Sequence, residues 1–105
     1  MKIFDLYGLK ENGNLESARQ LAEQALRVSL APHSSSYVGK YYRFGLSGRE
    51  NFVLQENFNE SEQELNEKAF KEFPILLYIN ESQQAEFVEN LLRAEGFVLL
   101  RREKL

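Results

Sequence analysis

The single histidine of the chain, His33, is the residue whose type and setting come closest to those of a catalytic group. Ser34, Ser35 and Ser36 follow it, and a serine activated by an imidazole base is a common hydrolytic pair. These serines lack the glycines of a nucleophile elbow, and small polar residues after a proline are typical of an exposed loop. A small hydrolase using His33 is therefore an alternative. We predict that His33→Ala leaves function intact, and loss of a measurable activity in the folded variant would contradict this.

Metal and nucleotide sites have weaker support in the sequence. The chain has no cysteine and one histidine, so thiolate sites and imidazole clusters are excluded. Gly39, Gly45 and Gly48 lack the spacing of a phosphate-binding loop. None of the sixteen acids belongs to a pair with a distinctive catalytic spacing. We predict no catalytic residue, no metal and no cofactor.

The main charge feature is an acidic segment, residues 56–72, which holds six glutamates and two lysines and has a net charge of −4. The rest of the chain has a net charge of +1. A patch of this sign repels phosphate and attracts a basic partner, while tyrosine and arginine are frequent anchors of protein interfaces. We therefore predict a basic protein partner bound by Tyr41, Arg43, Glu56, Glu60, Glu62 and Glu64.

Residues 37–44 interleave aromatic and basic side chains in a predicted strand, as RNA-binding sheets do. The alternation of a strand places Tyr41 and Arg43 on one face, with Tyr42 and Phe44 on the other, toward the core. A small nucleic-acid-binding module using this strand is the second alternative. The net charge of −3 argues against nucleic acid as the partner.

Two stretches have the apolar spacing of amphipathic helices. The first covers residues 15–29, with Asn14 as its N-cap and Pro32 beyond its end. The second has Ser82 as its N-cap and ends at Gly96, which can adopt a left-handed conformation.

The remaining pattern predicts five strands, at residues 2–7, 37–44, 52–55, 74–79 and 97–100. Residues 74–79 form the continuous apolar run of a central strand buried on both faces. Ser61 and Glu64 form a capping-box pattern that predicts a short helix in the acidic segment. Arg101 and Arg102 are expected to carry the chain into solvent. The order β-α-β-β-β-α-β predicts an α+β two-layer sandwich, with a mixed, mostly antiparallel five-stranded sheet and both helices on one face.

A chain of 105 residues suits one domain, residues 1–105. The absence of cysteine fits a reducing compartment. The first residues lack the apolar core of a signal peptide, and no apolar stretch is long enough for a membrane span. We therefore expect a cytoplasmic protein; its oligomeric state is not predicted.

Several short runs together resemble small bacterial immunity proteins of polymorphic-toxin systems, including those of contact-dependent growth inhibition. These runs are Ser35-Ser36-Tyr37, Tyr41-Tyr42-Arg43, residues 50–55, residues 73–78 and residues 99–103. The resemblance implies a compact cytosolic inhibitor without enzymatic activity, which binds and neutralises one cognate toxin domain, often a basic nuclease. It implies no roles for individual residues.

Overall fold

The computed structural model describes residues 2–10, 14–37 and 39–105. Val38, which falls in a predicted strand, lies outside the described residues. Six strands, two α-helices and one short 3-10 helix make up the described chain. In chain order they are β1 (Ile3–Leu9), α1 (Leu15–Leu26), β2 (Ala31–Ser35), β3 (Gly39–Phe44), β4 (Asn51–Glu56), the 3-10 helix (Lys68–Phe70), β5 (Ile75–Ser82), α2 (Ala85–Ala94) and β6 (Val98–Lys104).

The strands form one sheet in the order β2-β3-β4-β5-β1-β6, and every neighbouring pair is antiparallel. The predicted α+β class is confirmed, but the five-stranded mixed sheet and the element order are wrong. Each helix joins two strands that run in the same direction with other strands between them, so no parallel neighbours arise. As predicted, the apolar run lies in a central strand, although the strand begins at Ile75 and not at Pro74: β5 is flanked by β4 and β1, and Ile75, Leu76 and Leu77 are fully buried.

The sixth strand is β2, which the sequence analysis assigned to a loop because of its proline and serines. It lies at the edge of the sheet and pairs only with β3 along its length. An edge strand tolerates Pro32 because one side of its backbone needs no ladder hydrogen bond. Polar side chains also suit an edge, since they discourage further strand pairing.

The first helix begins as predicted, with the Asn14 Oδ1 accepting hydrogen bonds from the backbone N–H groups of Glu16 (2.8 Å) and Ser17 (3.2 Å). It ends at Leu26 rather than near residue 29, because Arg27 adopts a left-handed conformation with φ 57°. Pro32 therefore plays no part in ending it.

The second helix has Gln84 rather than Ser82 at its N-cap. Ser82 is instead the buried last residue of β5. Gly96 follows the helix with φ +95°, which confirms the predicted left-handed end. The helix predicted from Ser61 and Glu64 is wrong, because the only helical turn of that segment is the 3-10 helix further on.

Both helices pack on one side of the sheet, here called the helix side, and they contact each other. Their buried residues meet Tyr7, Leu54, Leu77 and Ile79 of the strands in one hydrophobic core. Tyr42 closes the core near α1: its hydroxyl donates a 2.6 Å hydrogen bond to Glu16. Arg19 and then Tyr42 hydrogen-bond the Glu16 carboxylate and lower its pKa to about 2.

The helix side also holds a charged pair. Arg102 Nε and Nη2 donate 2.8 Å hydrogen bonds to the two carboxylate oxygens of Asp5, whose side chain is fully buried. Arg102 also lies 3.2 Å from the Glu89 carboxylate of α2. The expectation that Arg101 and Arg102 leave the sheet is wrong, since both lie within β6.

Candidate functional site

The side of the sheet that faces away from the helices, here called the open face, carries cross-strand rows of side chains that the strand register defines. One row reads Arg43, Val53, Tyr78, Leu6 and Arg101 from β3 to β6. The row beside it reads Asn51, Asn80, Phe4 and Glu103. Side chains in cross-strand rows lie close enough to form a continuous surface.

The chain between β4 and β5, residues 57–74, covers part of the open face. Phe73 packs over Gly8, where an added Cβ would come within 2.7 Å of the Phe73 ring. Asn57, which is 3% exposed, organises this segment from within. Its Nδ2 donates to the carbonyl oxygens of Glu67 (3.3 Å), Phe70 (3.1 Å) and Phe73 (3.1 Å). These bonds hold the segment as a fixed cover over one end of the face.

The cover is also tied to the sheet by Glu67. The Tyr78 hydroxyl donates a 2.7 Å hydrogen bond to its carboxylate, and Arg101 donates two more at 3.1 and 3.4 Å. Burial, and then this hydrogen bond, raise the pKa of Tyr78 above the usual tyrosine value of 10.0. The charge of Arg101 is therefore largely balanced by Glu67.

Three of the predicted partner-binding residues, Glu60, Tyr41 and Arg43, lie on β3 or against it. The Glu60 carboxylate rests against Gly39, where an added Cβ would come 2.5 Å from Glu60 Oε1. Tyr41 and Arg43 follow on the open face of the same strand, and the His33 ring stacks on Tyr41 with centroids 5.4 Å apart. We call Glu60, His33, Tyr41 and Arg43 the Tyr41 corner.

The arginine of this corner is held in place by polar contacts. Arg43 Nε donates to the carbonyl oxygen of Gly45 at 3.0 Å, and its Nη2 donates to Asn51 Oδ1 at 3.3 Å and Ser47 Oγ at 3.4 Å. Within the described residues it has no carboxylate partner. Its charge is therefore positioned but not neutralised.

The other predicted glutamates do not all join the corner. Glu56 pairs with Ile75 in the register, which puts its side chain on the helix side. Glu62 is exposed in the turn that the bridge between Asn59 and Glu64 closes. Glu64 forms a 3.1 Å ion pair with Lys68. The acidic segment is thus spread over several directions, and of the four predicted glutamates Glu60 is the one that lies against Gly39 of β3.

The serines next to His33 are not arranged around its ring. Strand alternation puts Ser34 on the opposite face of β2, and Ser35 on the same face two residues away. No cluster of metal-binding side chains is found in the described ranges. Neither described α-helix is long and apolar enough to cross a membrane.

Sequence reasoning missed the part of the open face that β5, β1 and β6 supply. Tyr78 and Asn80 interrupt the apolar run of β5 at alternate positions, a signal that one of its faces is not entirely core. No local sequence pattern places Phe4, Arg101 and Glu103 on this face, because their neighbours across the sheet come from distant parts of the chain.

No family model matches the chain, and no curated protein sequence matches it. The resemblance to immunity proteins therefore stays a prediction.

Proposed function

We propose that this chain is a binding protein that recognises a basic protein partner through the Tyr41 corner and the adjoining open face. Following the resemblance, we propose that the partner is a bacterial toxin domain, which the chain neutralises in the cytoplasm by covering it. The observation that carries the proposal is that Glu60, from a separate part of the sequence, lies against Gly39 of β3, the strand that carries Tyr41 and Arg43 on its open face.

The corner has the chemistry of a protein-binding anchor. Tyrosine and arginine contribute much of the energy of many interfaces, and side chains held in place before binding lose little entropy in the complex. His33 supports Tyr41, while Gly45 and Asn51 support Arg43. This arrangement favours binding by a surface formed in advance.

The charges favour a basic partner. Glu60 and Glu62 are exposed and have no ion pair within the described residues. Unpaired surface charges of one sign accelerate encounters with an oppositely charged protein. Glu64 is already paired with Lys68, so we expect a smaller role for it.

Two features make nucleic acid the weaker alternative. One face of the Tyr41 ring is occupied by His33, which leaves less aromatic surface for stacking a base. Glu67 balances the charge of Arg101, so of the two arginines in the open-face row only Arg43 offers phosphate groups a charge without a carboxylate partner in the described ranges. The hydrolase alternative is also weaker, because Ser34 lies on the face opposite His33.

The test is a pull-down from the native host with tagged wild type, a Tyr41→Ala, Arg43→Ala double variant, and Glu60→Lys. Glu86→Lys, at an exposed position of α2, is the matched charge control. We expect wild type and Glu86→Lys to recover the same basic protein, whose toxicity the chain suppresses on co-expression. The double variant should lose it, and Glu60→Lys should bind it more slowly at low salt.

Recovery of the partner at unchanged affinity by all variants would show that the Tyr41 corner is not the binding site. Recovery of RNA in place of a protein would favour the nucleic-acid alternative. Equal urea midpoints for all variants would establish that differences in recovery come from the surface and not from unfolding.

A further inference from the structure

The open face contains a hollow of about 200 Å³ at the end that residues 57–74 leave uncovered. Its lining includes Phe4, Leu6, Tyr78, Asn80, Arg101 and Glu103. Pockets for drug-sized ligands are usually larger, from about 300 Å³ upward. A hollow of this size suits one side chain of a bound protein.

The amide of Asn80 offers the hollow a hydrogen-bond acceptor. Asn51 Nδ2 donates to the carbonyl oxygen of Arg49 at 2.7 Å, which orients Asn51 so that its Oδ1 accepts from Asn80 Nδ2 at 3.0 Å. This bond uses the donor side of the Asn80 amide. Its Oδ1 has no donor within the described residues, and it remains available to a ligand.

The charge of the hollow is negative once its internal pairs are considered. Arg101 is held by two hydrogen bonds to Glu67. The Glu103 carboxylate is 59% exposed, and its one ionic contact within the described residues is with Arg101 Nε at 3.6 Å. One arginine thus faces two glutamates, so a negative charge remains for a ligand to balance.

Aromatic rings complete the hollow. Tyr78 lies directly across from Leu6 on β5, and Phe4 lies two residues from Leu6 on β1. The hydrogen bond to Glu67 fixes the Tyr78 ring. Aromatic faces attract cations, and the Glu103 carboxylate and the Asn80 Oδ1 can bind the same cation. We propose that this hollow binds one arginine or lysine side chain of the basic partner; the identification of a partner rests on the proposed function, but the chemistry of the hollow does not.

The test uses small probes and needs no partner: Nα-acetyl-arginine amide and Nα-acetyl-lysine amide, with Nα-acetyl-glutamine amide as the neutral control. Each is titrated into ¹⁵N-labelled protein while amide resonances are followed. We expect saturable shifts at Phe4, Asn80 and Arg101 with the cationic probes and none with the neutral one. The two cationic probes together show which side chain the hollow prefers.

Glu103→Gln should weaken the cationic probe about fivefold, the size of one exposed charge pair, while Glu86→Gln on α2 should not. Asn80→Leu should weaken it as well, and unchanged urea midpoints would confirm that both variants fold. Absence of saturable shifts, or equal binding by wild type and Glu103→Gln, would overturn the proposal. Such a result would leave the proposed function standing if the Tyr41→Ala, Arg43→Ala variant still lost the partner.

Discussion

The two faces of the sheet use the same strands for different purposes. On the helix side, the alternate residues of β5 are Ile75, Leu77 and Ile79, all fully buried. On the open face, the same strand presents Leu76 beneath the cover and then half-buried Tyr78 and Asn80. Moving along one strand by one residue therefore changes a side chain from core to surface, so substitutions one residue apart separate stability from binding.

The largest expected effect is on the helix side, at the Asp5–Arg102 pair. Asp5→Ala should lower the free energy of unfolding by about 3–5 kcal/mol, because it leaves the Arg102 charge without its buried partner. Urea denaturation measures this. Glu103→Ala, at the next position along β6 on the open face, is the control, and we expect a change below about 1 kcal/mol there. A smaller loss for Asp5→Ala than for Glu103→Ala would contradict the division between the faces.

Leu77→Ala should lower the free energy of unfolding by about 2–5 kcal/mol, because the lost apolar contacts and the new cavity both lower stability. Leu77 is fully buried at the centre of the sheet. Val53, half-buried on the open face, offers a comparison in the neighbouring strand. Equal losses for Leu77→Ala and Val53→Ala in urea denaturation would show that the open face is as tightly packed as the core.

Asn57→Asp tests the cover over the open face. The change replaces an amide donor that serves three carbonyl oxygens with an acceptor, and we expect a loss of about 1–3 kcal/mol. Hydrogen exchange should accelerate in residues 57–74 more than in β5. Asn59→Asp, in the same segment, is the matched control, because the variant keeps the oxygen that accepts from the Glu62 backbone N–H. Uniform acceleration across the whole chain would instead show that the cover and the core unfold together.

Tyr78→Phe tests the hydrogen bond between the open face and the cover through its pH dependence. The variant should lose about 1–2 kcal/mol of the free energy of unfolding at pH 7, because Glu67 loses a hydrogen bond. The pKa of Tyr78 in the folded protein lies above the unfolded value near 10.0. The Tyr78 hydroxyl therefore contributes its full stabilisation of the fold below pH 10. This stabilisation is lost as the pH rises toward the folded pKa. The free energies of unfolding of the wild type and the variant should therefore converge above pH 10. A difference between them that widens with pH would contradict a raised pKa of Tyr78.

The sequence predicts the helix side better than the open face, for a physical reason. Apolar periodicity, the Asn14 cap and the glycine at Gly96 are local signals, and they placed α1, α2 and the central position of β5. The alternation of β3 also placed Tyr41 and Arg43 on one face and Tyr42 and Phe44 on the other, as the register confirms.

The edge strand β2 was missed because its stability comes from pairing with β3, and its own proline and serines give no strand signal. Arg102 was missed for a similar reason: its partner Asp5 is 97 residues away in the chain. The Glu60 contact with Gly39 and the hollow beside Glu103 likewise depend on pairings that local patterns do not contain.

The most direct test makes one replacement at two adjacent positions of β3. Tyr41→Leu and Tyr42→Leu are each measured for the free energy of unfolding and for the Kd of the partner recovered from the host. We predict that Tyr41→Leu weakens binding at least about tenfold, as expected for an interface anchor, with little change in stability. Tyr42→Leu should lower stability by about 1–3 kcal/mol, because it loses the hydrogen bond to Glu16, while the Kd stays unchanged. Unchanged binding in Tyr41→Leu, or loss of binding only in Tyr42→Leu, would contradict the assignment of the open face as the binding surface.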